Sequence, residues 1–98
     1  MNPRVVYHAL AELELNVAAQ SYEHECPGLG VAFLTEVQRC IESIVDHPEA
    51  GTPIHTGIRR RLVPRFPYAL LYAIKREEIR ILAVMNLRRR PFYWVGRR

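Results

Sequence analysis

The sequence predicts an α+β fold in which two helices pack on one face of an antiparallel sheet. Apolar residues recur with a helical period in the first half of the chain, and alternate or run continuously in the second half. Helices that are adjacent in sequence, followed by strands that are adjacent in sequence, are typical of this fold class. The 98 residues are enough for one hydrophobic core and too few for two, so we expect residues 1–98 to form a single domain.

The predicted order of elements is β-α-α-β-β-β, and the first three fall in the first half of the chain. Val5-Val6-Tyr7 is β-branched and aromatic, as is typical of a strand. A helix is expected from Ala9 to about Glu25, because the breakers Cys26-Pro27-Gly28 follow it. A second helix is expected from Leu29 to about His47, where Pro48 ends it.

The second half contains the three remaining predicted strands. Residues 48–53 are rich in turn-forming residues and predict a loop. In the strand from Ile58 to Val63, alternation places Arg59 and Arg61 on one face and Arg60 on the other. The apolar run 68–74 predicts a central strand, and a tight turn joins it to a returning strand from Ile79 to Asn86. Because the helices cover one face of the sheet, we expect the other face to be open and to carry arginine side chains.

The net charge of +4 hides a strong asymmetry between the two halves. Residues 1–57 contain two basic and eight acidic residues, a net charge of −6, whereas residues 58–98 contain twelve basic and two acidic residues, a net charge of +10. Such asymmetry indicates an anionic partner, and arginine suits bidentate contact with phosphate or carboxylate. The alternative is a solvated basic face that binds nothing in particular.

Several classes of protein are disfavoured. No apolar run approaches the roughly 18–20 residues of a membrane span, and the N-terminal residues lack the pattern of a secretory signal. We therefore expect a cytoplasmic protein without a membrane partner. Cys26 and Cys40 are expected to be reduced thiols, and no spacing of cysteine and histidine suggests a metal site. We expect no metal and no cofactor.

Four groups of residues occur in an order and spacing that is typical of a known superfamily. They are Pro27-Gly28-Leu29-Gly30 with Phe33-Leu34, then Pro48, then Arg65-Phe66-Pro67-Tyr68 with Leu71-Tyr72, and finally residues 82–91 with Tyr93-Trp94 and Arg97. Over nearly its whole length the chain resembles the RelE/ParE superfamily of type II toxin–antitoxin toxins, and within it the ParE-like branch.

The resemblance implies a toxin that inhibits DNA gyrase and is neutralised by direct binding of a cognate ParD-like antitoxin, with which it forms a hetero-oligomer. The alternative is a RelE-like endoribonuclease that cleaves mRNA on the ribosome. Similar proteins usually carry histidine where this chain has Asn86, and often aspartate where it has Arg90. An amide cannot titrate near neutral pH, so Asn86 argues against RNA cleavage and favours a protein that is not an enzyme.

Three sets of site residues follow from the resemblance and the charge pattern. Toxicity and target binding are expected of Arg88, Arg89, Tyr93, Trp94 and Arg97. For Trp94 the alternative is a tail that folds back onto the core, since an apolar ring needs burial. An acidic, amphipathic antitoxin is expected to contact Arg59, Arg61, Leu10, Leu13 and Val17. If the protein were a nuclease, the catalytic residues would be Arg61, Arg65, Arg89 and Tyr93. A helix-turn-helix module is disfavoured, because no predicted helix carries the basic residues.

Overall fold

The computed structural model describes residues 3–90 and 92–98, and within them two helices pack against a five-stranded sheet. The α+β prediction is confirmed. The elements are β1 (Arg4–Tyr7), α1 (Ala9–Glu25), α2 (Leu29–Asp46), β2 (Thr52–His55), β3 (Ile58–Leu62), β4 (Tyr68–Lys75) and β5 (Glu78–Asn86), with a short 3-10 helix at Pro48–Ala50 between α2 and β2.

The sheet has the order β1-β5-β4-β3-β2 and is mixed rather than wholly antiparallel. β1 runs parallel to β5, and the other three neighbouring pairs are antiparallel. The strand that the sequence did not predict, β2, begins inside the predicted loop and contains Pro53. Proline is tolerated there because β2 is an edge strand, in which one row of N–H groups has no partner.

A β-bulge in β5 determines which of its residues face the helices. Leu71 lies opposite Ala83 and Tyr72 lies opposite Ile81, so Leu82 is an additional residue in β5. Ile79 and Ile81 belong to the core beneath the helices, and after the bulge it is Val84 rather than Ala83 that continues this core.

The main core lies between the helices and the sheet. Its largest fully buried side chains are Tyr72, Phe33, Ile44, Leu70, Ile79, Ile81, Val37 and Val84. The hydroxyl of Tyr72 donates a hydrogen bond to the Pro48 carbonyl at 2.6 Å. The two helices approach closely at Gly30, where a Cβ atom would lie 2.6 Å from the carbonyl oxygen of Ala19. This position therefore requires glycine for steric reasons.

The face of the sheet away from the helices, here called the second face, is covered near its centre. Trp94 is only 2% exposed and packs with Leu71 and Ala83. The expectation that this face is open is therefore wrong at its centre, although strand alternation places Arg60 on it as expected. Arg59 and Arg61 extend instead toward the helix side. Arg59 Nη1 donates to the Glu49 and Gly51 carbonyls at 2.9 and 2.8 Å, and Arg61 Nη2 donates to the Ser43 hydroxyl on α2.

No helix in the described part of the chain is long and apolar enough to cross a lipid bilayer.

Candidate functional site

The candidate site is built on the C-terminal segment, defined here as the described residues between 87 and 98. It begins with a turn that Asn86 fixes at the end of β5. The Asn86 side-chain oxygen accepts from the Arg88 N–H at 2.9 Å, and its backbone carbonyl accepts from the Arg89 N–H at 3.0 Å. Asparagine favours such turns because its side chain imitates a backbone acceptor. The turn leaves the side chains of Arg88 and Arg89 exposed to solvent.

The far end of the segment is held by an ion pair, which we call the Glu14–Arg97 clasp. The Glu14 carboxylate on α1 accepts from Arg97 Nη1 at 2.9 Å and from Nη2 at 3.0 Å. The side chains of Arg97 and Glu14 are only 11% and 17% exposed. A bidentate pair of this kind is both stronger and more directional than a single charged contact.

The clasp also closes an open edge of β5. Pairing with β1 ends where Tyr7 lies opposite Ile81. Beyond that point the Val84 N–H donates to Glu14 Oε1 at 3.0 Å, and the Leu82 carbonyl accepts from Arg97 Nη1 at 3.0 Å. The Glu14 and Arg97 side chains thus form hydrogen bonds with two backbone groups of β5 that would otherwise be open to pairing with another strand.

Tyr93 connects the clasp to the exposed arginines. The guanidinium carbon of Arg89 lies 4.2 Å from the centroid of the Tyr93 ring, and that of Arg97 lies 5.1 Å from it. These are cation–π distances, so Tyr93 restrains the side chain of Arg89. Burial, together with the nearby Glu14 carboxylate, raises the pKa of Tyr93 to about 12. The phenol is therefore neutral at physiological pH.

Two of the five residues expected to bind the target are engaged inside the protein. Trp94 is buried on the second face, and Arg97 is in the clasp. The burial of Trp94 agrees with the alternative of a folded-back tail, and Arg97 is paired with Glu14 within the protein, while the roles of both residues at a target stay predictions. Arg88 and Arg89 are exposed, and Tyr93 is half-buried beneath Arg89.

An apolar groove runs beside the C-terminal segment along α1, and we call it the α1 groove. Leu10, Leu13 and Val17 are exposed on this helix, and their i, i+3, i+7 spacing places them on one side of it as an apolar stripe. Leu13 and Val17 line the groove together with Glu14, Tyr68, Val84, Asn86 and Arg89. The structure therefore joins part of the expected antitoxin-binding set to part of the expected target-binding set. Arg59 and Arg61 do not line the groove.

The residues expected of a nuclease are not gathered into one cluster. Arg61 is tied to α2 through Ser43. Arg65 Nη1 lies 3.3 Å from the carboxylate of Glu36, which is itself buried on α2. Within the described residues, no hydrogen bond or ion pair joins Arg61 or Arg65 to Arg89 or Tyr93.

Glu14 is the site residue that sequence reasoning missed. It lies in the helical run Leu13-Glu14-Leu15, where an acidic residue on the side of the helix toward the sheet is unusual. That position is the one available signal, and it does not reveal that the partner is Arg97, 83 residues later.

These observations first define a class, namely a small α+β protein that presents arginine side chains from a firmly held C-terminal segment. A family model described as the ParE toxin of the type II toxin–antitoxin system parDE matches residues 5–91. The chain therefore belongs to the ParE toxin family, and it is a toxin of the type II toxin–antitoxin class.

The fold has a solved counterpart. The chain is similar to a structure described as a chromosomal ParDE toxin–antitoxin system from P. aeruginosa, with 19% sequence identity and a TM-score of 0.76. The similarity covers 86% of this chain and 95% of that chain. At this level of identity the comparison shows the fold alone. No curated protein matches this chain.

Proposed function

We propose that this toxin inhibits DNA gyrase through Arg88 and Arg89, and that a cognate ParD-like antitoxin neutralises it by binding in the α1 groove. One observation carries the proposal. Arg88 and Arg89 are exposed to solvent, while the residues around them are held by the Asn86 turn, by Tyr93 and by the clasp. The resemblance described above suggests gyrase as the target.

Gyrase bound to DNA presents an anionic surface, which the basic C-terminal segment would complement. The half of the chain from residue 58 onward has a net charge of +10, and a DNA-bound target is strongly anionic. Because Arg89 is already stacked on Tyr93, less side-chain entropy is lost when it binds. Arginine and tyrosine are also the residues that most often dominate binding energy at protein interfaces.

RNA cleavage has weaker support in this chain. A base is needed to activate the 2′-hydroxyl of RNA. The Asn86 amide cannot serve as that base and is engaged in the turn. Since the pKa of Tyr93 is raised to about 12, its phenol is not a base at neutral pH either.

The α1 groove suits an acidic, amphipathic segment of an antitoxin. Leu13 and Val17 offer apolar contacts along one wall, and Arg89 provides positive charge in the same groove. A segment bound here would cover exposed apolar surface and reach the arginine proposed to contact the target. Neutralisation then follows from direct occupation of a shared surface.

The proposal is tested with a supercoiling assay that contains gyrase, relaxed plasmid, ATP and increasing purified toxin. We expect inhibition with accumulation of cleaved DNA, and we expect the Arg88→Glu/Arg89→Glu variant to lose it. The matched control is Lys75→Glu/Arg76→Glu, which changes the charge equally at the exposed end of β4 and in the turn that follows it. Unaffected supercoiling by folded parent protein would refute the gyrase proposal and favour mRNA cleavage, which a translation extract would reveal. Equal loss in the control would refute the assignment to Arg88 and Arg89.

A second experiment tests the α1 groove. We expect Leu13→Glu/Val17→Glu to weaken binding of the purified antitoxin, by titration calorimetry, at least ~30-fold, which corresponds to about 2 kcal/mol. The control is Val31→Glu, which introduces a carboxylate at an exposed valine on α2. Parent-like affinity of the double variant would exclude this groove as the antitoxin site.

A further inference from the structure

Three aromatic rings form a cluster at the margin of the second face, which we call the ring cluster. The ring centroids of His55 and Phe92 are 6.4 Å apart, those of His55 and Trp94 are 5.9 Å apart, and those of Phe92 and Trp94 are 5.8 Å apart. Trp94 is buried, whereas Phe92 is 58% exposed and His55 is exposed on β2. A buried ring therefore supports two rings that face solvent.

The backbone of Phe92 is held in an uncommon conformation. Its φ of 64° lies in the left-handed region, which aromatic residues rarely adopt. The Val95 N–H donates to the Phe92 carbonyl at 3.1 Å, and buried Trp94 lies between the two residues. The tight turn thus keeps the Phe92 ring at the surface at some conformational cost, and such strain often marks a functional position.

The second face also carries a cation. Arg60 on β3 lies opposite Leu71 on β4, and Leu71 is the residue on which Trp94 packs. Strand alternation places the Arg60 side chain on the second face with Ile58. Unlike Arg59 and Arg61, Arg60 makes no side-chain hydrogen bond or ion pair in the described part of the chain. Its guanidinium group is therefore free to bind an anion.

We propose that Phe92 and His55, together with Arg60, form a site that stacks unpaired bases of single-stranded nucleic acid. Proteins that bind single strands combine exposed aromatic rings, which stack on bases of any sequence, with cations that follow the phosphates. Both elements are present here on the second face. The site lies on the second face rather than in the α1 groove, so it is distinct from the proposed antitoxin site and from Arg88 and Arg89.

The site is tested by titrating the full-length protein into labelled oligonucleotides of about 12 nucleotides at about 50 mM salt and following fluorescence anisotropy. The probes are a thymidine DNA strand, a uridine RNA strand and a DNA duplex. We expect both single strands to bind more tightly than the duplex. We expect Phe92→Ala to weaken single-strand binding at least ~5-fold, because each stacked base contributes about 1–3 kcal/mol. Phe92→Tyr should bind like the parent. Equal binding of the DNA strand and the RNA strand would show that the site does not distinguish the two sugars. A clear preference for one strand would show which of the two sugars the site favours.

Further variants separate stacking from other contacts. Arg60→Ala should reduce the salt dependence of single-strand binding by about 0.7 in the log–log slope, the value for one phosphate. The control is Leu87→Ala, which removes an exposed apolar side chain elsewhere in the C-terminal segment and should leave binding unchanged. Circular dichroism checks that each variant is folded. Parent-like binding by Phe92→Leu, equal weakening by Leu87→Ala, or binding of the duplex as tight as that of the strands would each overturn the proposal. Because these assays contain no gyrase, their failure would leave the gyrase proposal standing, and the converse also holds.

Discussion

The Glu14–Arg97 clasp leads to a quantitative prediction about stability. Glu14→Gln preserves the shape of the side chain and removes its charge. Glu14 accepts three hydrogen bonds, two from Arg97 and one from the Val84 N–H. The glutamine keeps one carbonyl oxygen, so at least one bidentate contact is lost and the guanidinium of Arg97, 11% exposed, loses its counter-charge.

The expected magnitude follows from the burial of the pair. Removing one partner of a buried ion pair typically costs about 3–5 kcal/mol. Water reaches part of both side chains here, and glutamine retains part of the hydrogen bonding, so we expect Glu14→Gln to lower the free energy of unfolding by ~2–3 kcal/mol. That is a large share of the roughly 5–15 kcal/mol that stabilises a typical domain.

The assay is urea unfolding, followed by circular dichroism and by tryptophan fluorescence. Trp94 is the one tryptophan of the chain and lies in the C-terminal segment, so its emission reports directly on whether the segment is docked. Glu12→Gln is the matched control, because Glu12 lies on the same helix and is exposed. A Glu14→Gln variant within about 0.5 kcal/mol of the parent would refute this account of the clasp, since changes of that size are usual at plain surface positions.

Three further predictions concern the core. Gly30→Ala should lower the melting temperature and destabilise the protein by about 1–3 kcal/mol, because the added Cβ would lie 2.6 Å from the Ala19 carbonyl oxygen. Melting like that of the parent would show that the two helices can move apart without a cost in stability. Tyr72→Phe should cost about 1 kcal/mol in urea unfolding through loss of the hydrogen bond to the Pro48 carbonyl, and an unchanged midpoint would show that this bond adds no net stability. Burial raises the pKa of Tyr7 from 10.0 to about 12, so its contribution to stability should be complete below pH 10 and lost as the pH rises toward 12. Urea unfolding across that pH range should show a smaller decline for Tyr7→Phe than for the parent, and equal declines would contradict the assignment.

The helices were predictable from local signals, and the sheet was predictable only in part. The breakers at Pro27 and Pro48 mark the ends of α1 and α2, and the structure places these ends within one residue of the prediction. β2 was not predicted, because proline, here Pro53, is unusual within a strand. The parallel direction of β1 was also beyond local reasoning, because its partner β5 lies more than 70 residues away and nothing near Val5 specifies it.

The candidate site divides in a similar way. The exposure of Arg88 and Arg89 agrees with their charge, which is visible in the sequence, whereas the turn at Asn86 that presents them was not predicted. The burial of Trp94 and the ion pair of Arg97 depend on whether the C-terminal segment fits against the second face and α1. Such fit is a property of the folded molecule and not of the segment itself.

The pairing of β1 with β5 has a consequence for synthesis of the protein. Arg4 lies opposite Glu78, so β1 emerges from the ribosome first and waits for its partner through 74 further residues. At about 5–20 residues per second, that delay is roughly 4–15 s. During it, the paired helices have no complete sheet to cover their apolar faces. A chain that is interrupted before β5 lacks both the strand between β1 and β4 and the exposed arginines that follow. Translation that stops before β5 therefore yields a chain whose sheet cannot be completed, and Arg88 and Arg89 are added only after the last strand has been made.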